Sequence, residues 1–101
     1  MKKVFMNYIS LHDKFIQYFK STSVIDRLRS RNINDRRIYD SYIYTERHHI
    51  IPQSQGGTNE ISNLVDLLPE EHIFIHFLRF KAFHKAKDLQ AVKFCLNGQH
   101  R

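Results

Sequence analysis

Apolar positions near the start of the chain recur at helical intervals. Phe5, Tyr8, Ile9, Phe15, Ile16 and Phe19 fall on one face of a 3.6-residue repeat, which predicts an amphipathic helix over residues 4–20. Ser23, with Asp26 three positions on, resembles a capping box and opens a short second helix through Leu28. The segment RNINDRRIYDS (31–41) follows neither period and reads as an irregular basic connector. YIYTERHH is rich in β-formers and alternates in character, so residues 43–49 are predicted as a strand. PQSQGGTNEIS is a loop in which Gly56 and Gly57 supply backbone freedom, and NLVDLL is a second short strand. Pro69 followed by Glu70 and Glu71 marks a helix start, since proline tolerates the first turn and carboxylates suit its positive end. That helix is predicted to run to about residue 85. A last helix covers 88–96, with Gly98 as its stop.

This order predicts a small α+β domain without internal repeats. Its parts are a basic helical segment (1–41), a strand–loop–strand–helix core (42–85) and a C-terminal helix and tail (86–101). At 101 residues, the chain is long enough for one modest core. Tyr8, Phe15, Phe19, Phe77, Phe80 and Phe83 recur at helical spacing and are expected in that core; Tyr42 and Tyr44 are expected to pack rather than touch a ligand. No apolar run approaches the roughly 20 residues of a membrane span, and the interrupted start, MKKVFMNYISLHDKF, does not resemble a signal peptide. Cys95 is the only cysteine, which excludes an intramolecular disulfide or a CxxC zinc knuckle and fits a reducing, cytoplasmic setting.

Charge narrows the partners. A formal net charge of +6 on so small a domain favours polyanions, nucleic acid above all. Arg27, Arg29, Arg31, Arg36 and Arg37 face only Asp26 and Asp35 in the same segment, and the paired donors of guanidinium suit phosphate. Arg47, in the predicted strand, joins them as a candidate DNA contact.

Four of the seven histidines carry the candidate chemistry. His72 and His76 lie four residues apart on one helical face, so both imidazoles can reach a single ion. The hairpin can bring His48 over that helix as a third ligand. Neighbours on a strand point to opposite faces, so of His48 and His49 one can hold metal while the other accepts a proton. His12, His84 and His100 are expected at the surface.

In combination, ERHHIIP, the GG loop, NLVDL and PEEHIFIH resemble the HNH endonucleases with their ββα-metal fold, over about residues 42–80. The pattern is similar to the histidine-rich branch seen in DNase colicin nuclease domains; the flanking sequence is more like small phage-encoded HNH proteins of homing-endonuclease type. The resemblance implies a two-stranded antiparallel hairpin packed on a helix. It implies one divalent ion (Mg2+, Mn2+, Zn2+ or Ni2+) on His48, His72 and His76, and His49 as general base. Asn63 would tie the loop to the first strand and orient His49, and Glu46 would support the site or steer an arginine. The implied reaction is hydrolysis of DNA phosphodiester bonds to 5′ phosphate and 3′ hydroxyl ends, without a small-molecule cofactor. Many HNH proteins brace this fold with a four-cysteine zinc site, which this sequence lacks. A homodimer is compatible with the pattern. Two alternatives are a non-catalytic DNA-binding derivative of the fold and a colicin-like toxin nuclease with an acidic immunity partner.

Overall fold

The computed structural model describes residues 6–96 and has an α+β architecture of four helices and one two-stranded antiparallel sheet. The helices are α1 (Tyr8–Ser21), α2 (Val24–Arg31), α3 (Pro69–Phe83) and α4 (Ala86–Leu96); the strands are β1 (Glu46–His49) and β2 (Leu64–Leu67). The described residues form two compact units, residues 16–72 and residues 6–15 with 73–96.

In the unit of residues 16–72, β1 and β2 pair with Glu46 opposite Leu67 and His48 opposite Val65. The pleat therefore groups Glu46, His48, Val65 and Leu67 on one face, and Arg47, His49, Leu64 and Asp66 on the other. Val65, Leu67 and His48 are buried, whereas Arg47 and Asp66 are exposed, so the first face is the inner one. Ile16, Phe19, Leu28 and Leu68 complete its buried apolar set.

The start of α3 is fixed locally. Glu71 accepts the Leu68 amide at 2.8 Å, the reach-back half of a capping box, with Pro69 in the first helical position. α2 is capped by Ser23, whose hydroxyl accepts the Asp26 amide at 3.2 Å. In the other unit Ile75, Leu78 and Val92 are buried, and Phe15 meets Phe74 edge-on with ring centroids 4.8 Å apart. Lys81 extends its ammonium between the rings of Tyr8 and Phe77.

Several boundaries differ from the sequence reading. Among the described residues the first helix starts at Tyr8; positions 4 and 5, like Gly98 and His100, lie outside them. β1 is four residues long, because, among the described residues, 43–45 are not paired with a strand. The connector is not wholly irregular: Arg36–Tyr39 form a 3₁₀ turn capped by Asp35, whose carboxylate accepts the Arg37 amide. α3 ends at Phe83 rather than residue 85, because His84 takes a left-handed conformation (φ 56°), and α4 starts two residues before Asp88.

Candidate functional site

Strand alternation separates the adjacent histidines. His48 lies on the inner face, 3% exposed, with its ring edge-on to that of His72 at 5.1 Å between centroids. His72 and His76 are one turn apart on α3. One ring nitrogen from each of His48, His72 and His76 lies within 4.8 Å of the others, a group that could hold one metal ion.

The carboxylates around these rings fix which nitrogen is available. His72 Nδ1 is 2.9 Å from Glu46 Oε1, and a carboxylate oxygen accepts, so Nδ1 carries the proton and Nε2 the lone pair. Glu46 is held in turn by the Tyr44 hydroxyl, which donates to Oε2 at 3.0 Å; that bond pushes the Tyr44 pKa up. Glu46 thus reaches the site through His72, from the strand position two before His48.

His49 turns the other way. Its Nε2 donates to Asn59 Oδ1 at 2.7 Å, and the same oxygen accepts from Gln53 Nε2 at 3.1 Å. With Nε2 protonated, the lone pair of a neutral His49 lies on Nδ1. Asn59 and Gln53 were not singled out in the sequence; polar loop residues carry no signal of which ring they will meet.

Asn63 closes the loop between the strands. Its Oδ1 accepts the Ile51 amide at 2.8 Å, and its Nδ2 donates to the carbonyls of Ile51 and Thr58 at 3.0 and 2.8 Å. Its own carbonyl accepts the Ile50 amide at 2.8 Å, immediately after His49. Gly57 sits so close that an added Cβ would overlap the Ile51 carbonyl, and Gly56 has φ 91°. Both glycines are therefore dictated by the turn, one by crowding and the other by backbone angle.

The arginines divide. Arg27 does not face solvent, contrary to its expected place in a phosphate-binding set. It is 2% exposed, and all five guanidinium N–H donors are used: two on the Glu71 carboxylate and the others on the Phe19, Thr22 and Asp66 carbonyls. Nothing remains on its guanidinium for a phosphate. Arg37 grips Asp35 and Glu70, and Arg31 also reaches Glu70. These bonds hold Asp35 and Glu70 at about 2, well below ordinary carboxylates, chiefly through Arg37. Arg29 and Arg36 are exposed, and Arg47 is exposed beside Asp66 at 3.5 Å.

Three further expectations are corrected. His12 is buried at 3% exposure, on the same face of α1 as Phe15, Ile16 and Phe19, so the helical spacing carried the signal. Burial pushes its pKa down despite a 3.1 Å contact from Nδ1 to Asp13, and its Nε2 has no hydrogen-bond partner among the described residues. Tyr42 and Tyr44 are exposed at 74% and 48% rather than packed, because they precede the paired part of β1. Phe77 is exposed on α3 rather than in a core.

Residues 36–70 match the HNH endonuclease family model. The chain is 50% identical over 50 residues to probable mobile endonuclease B of Enterobacteria phage T4, covering 50% of this chain and 19% of that protein. It is 32% identical over 84 residues to probable mobile endonuclease D of the same phage, covering 83% and 28% respectively. It is 45% identical over 49 residues to an uncharacterized 38.5 kDa protein in psbA intron 1 of Chlamydomonas moewusii, covering 48% and 14%. The chain thus spans less than a third of the length of these relatives. No solved structure matches it.

Proposed function

We propose that this chain, whose residues 36–70 match the HNH endonuclease family model, is a metal-dependent endonuclease that hydrolyses DNA phosphodiester bonds. The homing type fits the phage mobile endonucleases that it is similar to. The observation that carries this reading is the split between neighbours on β1: His48 joins His72 and His76 in a cluster of three imidazoles, while His49 faces away from it with its tautomer set by Asn59.

His48, His72 and His76 would hold one divalent ion, an all-imidazole set that favours zinc or nickel in affinity. Bound there, such an ion would supply charge stabilisation to the phosphate undergoing hydrolysis. His49 takes a proton from the attacking water at Nδ1, the nitrogen left unprotonated by its bond to Asn59. Asn63 keeps His49 in place by tying Ile50 and Ile51, the two residues after it, to the far end of the loop. Glu46 orients His72. The proposed products carry a 5′ phosphate and a 3′ hydroxyl. Arg29, Arg36 and Arg47 offer exposed positive charge to the DNA backbone. No described helix is long and apolar enough to cross a membrane, and a cytoplasmic site of action is part of the proposal.

The test is cleavage of supercoiled plasmid by the full chain across several divalent metals, with EDTA as control. His49→Ala is expected to keep zinc binding and DNA binding while lowering the single-turnover rate by about 10²–10⁴-fold. His72→Ala is expected to lose zinc binding in calorimetry. Near-wild-type cleavage by His49→Ala at saturating metal would exclude this mechanism.

A further inference from the structure

His76 and the carboxylate that holds it both lie beyond the residues 36–70 that match the HNH family model. The Nδ1 of His76 is 2.8 Å from Oδ1 of Asp88, a residue in the first turn of α4. Asp88 is buried at 3% exposure, and the same Oδ1 accepts from Arg79 Nε at 3.3 Å. Arg79, also buried, stacks its guanidinium over the Phe83 ring at 5.0 Å. The carboxylate oxygen is thus anchored on α3 by Arg79 and aimed at His76 one turn earlier.

We infer that Asp88 is a positioning residue for the metal centre: it holds His76 in the tautomer that puts the lone pair on Nε2 and leaves that nitrogen for an ion. The inference rests on the metal-centre reading above. The warrant is chemical. A carboxylate accepts and does not donate, so the nitrogen facing it must be the protonated one, and only the other can bind an ion. Glu46 does the same for His72 from β1, so each helix-borne histidine has its own acid on a separate element. A buried acid here also excludes the reverse ring orientation, since flipping His76 would leave the Asp88 carboxylate facing a C–H edge. Arg79 keeps the carboxylate in place whether or not an ion is present.

The experiment uses the full chain and two readouts. Long-range ¹H–¹⁵N NMR on the metal-free chain reports the His76 tautomer, and calorimetry with Zn2+ reports affinity. Wild type should show His76 protonated on Nδ1. Asp88→Ala should release that preference and weaken Zn2+ binding by about 100-fold, near the upper end of the effect of losing an outer-shell partner. Asp88→Asn retains an accepting oxygen; it should keep the Nδ1–H tautomer and weaken binding by about 10-fold. Should the alanine variant fail to fold, the asparagine variant carries the test through affinity. Unchanged Zn2+ affinity in a folded variant, or an Nδ1–H tautomer that persists in Asp88→Ala, overturns the inference while leaving the metal centre standing. A wild-type chain that binds no Zn2+ overturns both.

Discussion

Arg27→Met separates a structural arginine from a DNA-binding one. The guanidinium makes two bonds to Glu71, at 2.9 and 3.0 Å, and three to carbonyls, at 2.6, 2.8 and 2.9 Å. Methionine can fill much of the space against the Phe19 ring but replaces none of these donors. Glu71, 5% exposed, would keep only the Leu68 amide to offset its charge. Removing one partner of a buried ion pair costs about 3–5 kcal/mol, because the remaining charge is stranded away from water. A domain of this size has a total stability of about 5–15 kcal/mol, so the variant would lose a large share. With a urea slope of about 2 kcal/mol per molar, the unfolding midpoint should fall by roughly 2 M. Adding Glu71→Gln, which removes the stranded charge and keeps an oxygen for Leu68, should recover part of that loss. At temperatures where the single variant is folded, the salt dependence of its DNA affinity should match wild type. A midpoint shift below about 0.5 M, together with a shallower salt slope, would refute the assignment and return Arg27 to the phosphate-binding set.

Two further outcomes follow from the loop and from α1. Gly57→Ala forces its Cβ into the Ile51 carbonyl, so thermal unfolding should show a loss of about 1–3 kcal/mol, the range for overpacking; an unchanged midpoint would mean that the loop shifts freely. His12 has a folded-state pKa below its ordinary 6.5 because burial disfavours the imidazolium. The unfolded chain therefore binds the extra proton first, and stability present above about pH 6.5 should decline as pH falls toward the folded pKa. In denaturant titrations from pH 7 to 5, His12→Leu should flatten that decline relative to wild type; equal slopes would show that His12 is not the titrating group.

The elements that the sequence disclosed were those with local causes. The start of α3 was legible because Pro69, Glu70 and Glu71 all act within one turn, and the HxxxH pair needs only the pitch of that helix. Strand alternation likewise separates His48 from His49 without knowledge of anything distant. What stayed hidden depends on remote partners. Arg27 looks like its exposed neighbours until Glu71, 44 positions later, arrives beside it. Asp88 looks like a helix-start acid, which it also is, and only the packing of α4 reveals that it meets His76. The end of α3 was misjudged for another reason: a left-handed histidine carries none of the signal that a glycine would.

The buried Arg27 also bears on the order in which residues 16–72 acquire structure. α2 has eight residues, shorter than an isolated helix needs to persist in water, and its two buried side chains are Arg27 and Leu28. The carbonyl of Asp66 and the carboxylate of Glu71 are made about 40 residues after Arg27 on a growing chain. Until both have been synthesised, the guanidinium is better left in water, and α2 has little to hold it. Folding of this unit is therefore tied to the emergence of the first turn of α3. Contacts this far apart in sequence slow the search, and a nascent chain stopped before Glu71 lacks the carboxylate that Arg27 pairs with.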